Sequence, residues 1–82
     1  MILVDVYAPS VNQTYDFILE EGAKVSVVIV EITEMIAQKE QADLKGNVRE
    51  LLLVSQNDRC ILSPDHTLAY YEIQTGDKLI LV

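Results

Sequence analysis

The sequence predicts an α+β domain in which one helix covers a mixed sheet of four to five strands. Three observations point there. Segments 2–7 and 14–20 are β-branched or strictly alternating and are separated by a tight turn. The stretch from Lys24 to Glu40 carries aliphatic residues at helical spacing. Short apolar segments follow, and the last of them, 78–82, is almost wholly aliphatic. A period of two, then 3.6, then two again separates a hairpin, a helix and a second set of strands.

Each element has its own warrant. Ile2-Leu3-Val4-Asp5-Val6-Tyr7 is short and β-branched, and Pro9-Ser10-Val11-Asn12 is a turn cluster. In the second strand Tyr15, Phe17 and Leu19 share one face, and Thr14, Asp16 and Glu20 the other, which makes a half-buried partner for the first. Val25, Val28, Ile29, Ile32 and Ile36 then form one helical stripe. Val27-Val28-Ile29-Val30 is locally strand-prone, but the length of the segment and the helix formers from Glu31 to Glu40 decide for helix.

After the helix, 43–47 reads as a loop, 48–54 as a third strand and 59–62 as a fourth, with Asn57-Asp58 as the turn. Ser63-Pro64-Asp65 should introduce a one-turn helix around Leu68 to Tyr71, capped by Asp65. Thr75-Gly76-Asp77 is the last turn, and all three glycines fall in connections. The first and last strands are the most continuously apolar, as two parallel centre strands under a helix should be. A right-handed crossover through that helix makes the arrangement a β-grasp.

Composition bounds the function classes. Eighty-two residues, half of them apolar, make a single domain over 1–82 with room for one core. No apolar run approaches the roughly 20 residues of a bilayer span, so direct membrane insertion is not expected. Met1-Ile2-Leu3-Val4 meets Asp5 at once and lacks a basic region, unlike a signal peptide. Cys60, the single cysteine, has no internal partner. Together these point to a cytoplasmic protein, or a cytoplasmic part of a larger machine. The formal net charge of −7 argues against nucleic acid and anionic lipid, which need clustered cations. Such acidity serves solubility, or a basic protein partner.

Residue order in the final third adds a resemblance. Thr67-Leu68, Tyr71, Ile73 and the ending Leu79-Ile80-Leu81-Val82 follow the order found in ubiquitin, and Val25, Val28 and Ile32 repeat its helix spacing. Over nearly its whole length the chain more closely resembles the small ubiquitin-like proteins of Gram-positive type VII secretion systems, the YukD/EsaB family. The carriers are Thr14-Tyr15-Asp16-Phe17 and Ile73-Gln74-Thr75-Gly76-Asp77-Lys78-Leu79. The stretch from Lys39 to Glu50 carries no motif of that family. The resemblance implies a β-grasp that holds partners in a WXG100 secretion machine. It also puts Tyr71 inward, filling a corner with its hydroxyl on a backbone partner, and leaves Tyr70 exposed.

No catalytic constellation stands out. His66, the only histidine, sits beside Asp65 and reads as a solvated loop residue; with Cys60 it makes no metal set. Cys60 reads as a small core residue. The acids alternate with apolar positions or lie on a helix face, and there is no glycine-rich phosphate loop. The expectation is no enzyme, no cofactor and no metal.

Two surfaces are candidates for protein partners. If Leu51, Leu53, Leu79 and Leu81 point to the helix, alternation leaves Leu52, Val54, Ile80 and Val82 on the open face, with Leu3 and Tyr7 flanking. Ubiquitin binds partners through an apolar patch on this face, although scattered surface aliphatics are also ordinary. On the helix, Val27 and Val30 fall opposite the stripe, near Glu34 and Ala37, where self-association, a docking helix or chance would explain them.

Three functions follow. The first is a non-enzymatic accessory protein of a type VII secretion system, docking on cytoplasmic parts of the membrane machine. The second is an interaction domain excised from a longer protein. The third is a protein modifier or sulfur carrier, disfavoured because Val82 ends in strand without a diglycine tail.

Overall fold

The computed structural model describes residues 1–41 and 51–82. The loop expected at 43–47 and the first part of the third expected strand, 48–50, lie outside the described residues. The elements are β1 (Ile2–Ala8), β2 (Gln13–Leu19), α1 (Val25–Glu40), β3 (Leu53–Ser55), β4 (Cys60–Leu62) and β5 (Lys78–Leu81). They form a five-stranded sheet in the order β2-β1-β5-β3-β4. The β1–β5 pair is parallel and the other pairs are antiparallel, so the expected mixed sheet with its two most apolar strands side by side is what forms.

One face of this sheet is covered. Val4, Val6 and Ala8 from β1, Phe17 and Leu19 from β2, and Leu53, Leu62, Leu79 and Leu81 from the later strands all turn inward and are buried. Val25, Val28, Ile29, Ile32 and Ile36 of α1 meet them in one core, with Leu68 and Ile73 completing it. The α1 stripe thus removes five aliphatic side chains from water, each contributing about 1.5–3 kcal/mol before entropy is counted. Propensity alone would not hold this valine-rich helix; its buried face does.

The start of α1 shows how a remote loop substitutes for a local cap. Lys24 precedes the helix and makes no side-chain capping bond, and no acid lies in the first turn. The orphan donors go elsewhere: Val25 N–H donates to His66 O at 2.8 Å and Ser26 N–H to Pro64 O at 3.1 Å. At the other end Gln41 turns left-handed and its N–H returns to the carbonyls of Ala37 and Gln38.

That use of the 63–67 segment corrects one expectation. Residues 68–72 form a hydrogen-bonded turn, not a helix, and Asp65 does not cap it. Thr67 Oγ1 accepts the Tyr70 N–H at 3.0 Å instead, while Asp65 N–H donates to Ser63 Oγ. Thr67 is also bridged to Lys24. With its carbonyls spent on α1, the segment gains more from closing the helix entrance than from one turn of its own. Glu72, in the left-handed region at φ 58°, ends the turn.

Strand ends differ by smaller amounts. The third strand covers 53–55 rather than reaching only 54, because Ser55 is buried and its Oγ accepts the Asp58 N–H at 3.2 Å, fixing the next turn. Leu52 lies before the strand yet exchanges both backbone hydrogen bonds with Val82. Arg59 belongs to the turn, left-handed at φ 55°, so the fourth strand starts at Cys60.

Candidate functional site

The uncovered face of the sheet can be read row by row from the strand register. Tyr7 lies beside Ile80, Ile80 beside Val54, and Val54 beside Ile61. All four point away from α1, because Val6, Leu53, Leu62, Leu79 and Leu81 between them point inward. Leu52 and Val82, paired next along the same strands, extend the row toward the C-terminus. Four adjacent strands at about 4.8 Å spacing make this apolar row roughly 14 Å long.

Exposure along it is uneven in an informative way. Ile80 and Val54 are half-buried by their neighbours, whereas Leu52, Val82 and Ile61 are 37%, 50% and 60% exposed. The sheet-face residues expected from sequence, Leu52, Val54, Ile80 and Val82, therefore fall together. Ile61 belongs with them and was missed; it pairs with Val54 and faces outward because its neighbour Leu62 is buried. Ile18 was missed in the same way; it pairs with Leu3 farther along the face, and both are exposed.

A second row runs beside the first and is charged. Asp16 of β2 is the cross-strand partner of Asp5 of β1, and Asp5 lies beside Lys78 of β5. A hydrogen bond with Asp5, reinforced by its charge, raises the Asp16 carboxyl above the ordinary carboxylate range. Between the two rows lies an open depression of about 480 Å³, lined by Asp5, Tyr7, Thr14, Gln56, Lys78 and Ile80. Tyr7 is held at its rim by donating from its hydroxyl to Asn12 Oδ1 at 3.0 Å. Lys78 is positioned through its backbone, whose N–H donates to Asn57 Oδ1 at 2.9 Å and whose carbonyl accepts the Gln56 N–H.

The other expected surface lies across the molecule. Val27 and Val30 are both exposed on α1, on the side away from the sheet, as the 100° wheel requires. They lie opposite the buried stripe of α1, whereas the sheet-face residues lie on the side of the sheet that α1 leaves bare.

Other expected residues fall as follows. Tyr71 is half-buried against the core and its hydroxyl accepts the Ser63 N–H at 2.8 Å; Tyr70 is exposed. His66 is exposed and stacks on Tyr70, ring centroids 4.0 Å apart and 8° from parallel. Cys60 is half-buried and packs against the core. Among the described residues no three His, Cys, Asp or Glu side chains converge as a metal set. No described helix is long and apolar enough to cross a membrane.

No family model and no curated protein matches the chain. Solved structures do. The N-terminal ubiquitin-like domain in the 4931431F19Rik protein superposes with a TM-score of 0.76 at 22% identity, covering 99% of this chain and 72% of that one. The ubiquitin-like domain of Arabidopsis thaliana protein At2g32350 gives 0.73 at 16%, covering 99% and 74%. Sequence identity this low carries the fold alone. The strand order, the parallel β1–β5 pair, the single covering helix and these likenesses agree: the chain has a ubiquitin-like β-grasp fold.

Proposed function

We propose that the chain is a non-enzymatic interaction module whose open sheet face holds a protein partner. The observation that carries this reading is the contiguous row Tyr7–Ile80–Val54–Ile61, extended by Leu52 and Val82, on the side of the sheet that α1 leaves bare. A sheet face in water has no need of that many aliphatic residues in register, and a partner that covers them gains their burial. The resemblance to the YukD/EsaB proteins supports a setting in a type VII secretion system, docked on cytoplasmic parts of the membrane machine.

The test is affinity purification from the native host with wild type, Leu52→Asp and Ile80→Lys, each checked for fold by circular dichroism. Loss of the same partner from both variants supports the face. Recovery of a secretion ATPase or WXG100 substrates with wild type supports the pathway. Folded variants that retain every partner at full strength rule the face out.

A second reading is favoured by the structural likenesses, both of which are ubiquitin-like domains within longer chains. On this reading the module is one domain of a larger protein and acts through the same face. Detection of the native species by an antibody to this chain separates the two: a band at this chain's own mass supports the free accessory protein, a heavier one the excised domain.

A further inference from the structure

We infer that the open face takes a basic segment of a partner protein, with an arginine of that segment held by the Asp5–Asp16 pair while aliphatic neighbours of the arginine cover Tyr7, Ile80 and Val54. This rests on the sheet-face reading above and names the chemistry of the partner.

A local conflict marks this face. Like charges directly opposite one another across an antiparallel pair destabilise the sheet. Asp5 and Asp16 occupy such a pair on β1 and β2, in a hairpin whose other outward pairs, Leu3–Ile18 and Tyr7–Thr14, carry no such repulsion. Places where a fold breaks its own local rules tend to be functional. Here Asp5 lines the depression of about 480 Å³ that reaches Tyr7 and Ile80 of the apolar row, and Asp16 stands beside Asp5 on β2.

Spacing and charge then choose the occupant. Outward residues two apart on one strand are about 7 Å apart, so the acid row and the apolar row lie one long side chain from each other. An arginine whose backbone lies over Tyr7 and Thr14 reaches Asp5 and Asp16 with its guanidinium. Two facing carboxylates match the planar five-donor fork of arginine better than the compact ammonium of lysine. A divalent cation would need more oxygen ligands than this pair supplies, and no third acid or histidine converges among the described residues. The net charge of −7 repels phosphate-bearing partners and steers basic ones.

Lys78 sharpens the geometry. It lies next to Asp5 on the β5 side, opposite to Asp16. Its charge disfavours a cation arriving from that side, so the guanidinium enters from the β2 side. Removing the Lys78 charge should therefore strengthen binding, which a purely apolar site would not predict.

A random dodecapeptide library displayed on phage, selected against the folded 82-residue chain, tests this. Enriched sequences are expected to carry arginine within one helical turn or a few residues of aliphatic side chains. A synthetic peptide of that sequence is expected to bind wild type, to weaken as salt rises, to lose roughly tenfold or more against Asp5→Asn/Asp16→Asn, and to gain against Lys78→Gln. Both changes keep side-chain size, are exposed or half-exposed, and are checked by circular dichroism. Aliphatic sequences without arginine, bound equally by Asp5→Asn/Asp16→Asn and lost on Ile80→Lys, overturn this inference and leave the sheet-face reading standing. Sequences indifferent to Ile80→Lys overturn both. Acidic sequences, or no enrichment, overturn the arginine site.

Discussion

The Tyr71 hydroxyl accepts the backbone N–H of Ser63 at 2.8 Å, tying the turn at 68–72 to the end of β4. That bond also steadies Pro64 and His66, whose carbonyls close the start of α1. Tyr71→Phe keeps the ring packing and leaves a part-buried donor without its acceptor. The expected loss is about 1–2 kcal/mol, read as a lower urea midpoint with an unchanged slope. An unchanged midpoint would show that water replaces the hydroxyl without cost.

Leu68 and Ile32 are both fully buried and belong to the one core beneath the sheet. Truncation of either to alanine leaves a cavity that neighbouring aliphatics fill only in part. Each change is expected to cost roughly 2–5 kcal/mol. A domain of this size holds about 5–10 kcal/mol in total, so either variant should melt well below wild type in a thermal scan. A shift of a degree or less would place that side chain outside the core.

Much of this fold is legible along the chain, and the gaps have physical causes. The hairpin and helix carry strong periods, which set Phe17 and Leu19 of β2 and the Val25, Val28, Ile29, Ile32 and Ile36 stripe of α1 inward, while Thr33 and Ala8 are buried without such a signal. Alternation likewise places Leu52, Val54, Ile80 and Val82 on the bare face. The 63–72 segment resists local reading because its conformation answers to α1: the donors of Val25 and Ser26 decide where its carbonyls point. The facing of Asp5 and Asp16 depends on register, which emerges only once residues 9–12 close the hairpin between Ala8 and Gln13. An acid in each strand is unremarkable until a turn of that length sets them opposite one another.

Tyr15 latches the end of α1 to β2, its hydroxyl donating to Glu40 Oε2, with Lys39 Nζ 5.9 Å above the ring. The hydrogen bond to Glu40 is the main reason the phenol is pushed up to about 12 from 10.0. A folded pKa above the unfolded one means that this contribution is complete below the unfolded value and is lost as pH rises through the folded value. Wild type is therefore expected to lose stability between 10.0 and about 12 more steeply than Tyr15→Phe, which lacks the titrating group. Urea midpoints measured across that range for both proteins check this; parallel curves would remove the latch.

Val27 and Val30 stand exposed on α1, where β-branched residues cost helix propensity. Replacing both with lysine and glutamine is expected to stabilise the monomer by roughly 0.5 kcal/mol or a little more, from propensity alone. Sedimentation velocity over a concentration series gives the second readout. Wild type that dimerises while the variant stays monomeric assigns the helix face to self-association; identical monomeric behaviour leaves the valines as surface residues.

The Asp16 carboxyl is raised because it shares a hydrogen bond with Asp5 and feels its charge. The sign follows from linkage: the stabilisation carried by the shared proton is complete below the unfolded value of 3.8 and is lost as pH rises through the raised folded value. Above that, two carboxylates face one another, with Lys78 on the far side of Asp5. Asp16→Asn removes the repulsion and keeps the shape. It is expected to be more stable than wild type at about pH 7, with the advantage gone near pH 3, below the ordinary value of 3.8, where Asp16 holds its proton. Urea midpoints at the two pH values measure this directly. The same variant is expected to bind arginine-bearing peptides more weakly, so stability and recognition should move in opposite directions. A variant that is less stable at neutral pH would show that the pair is held by contacts which outweigh its repulsion, and the case for a retained conflict at this face would fall with it.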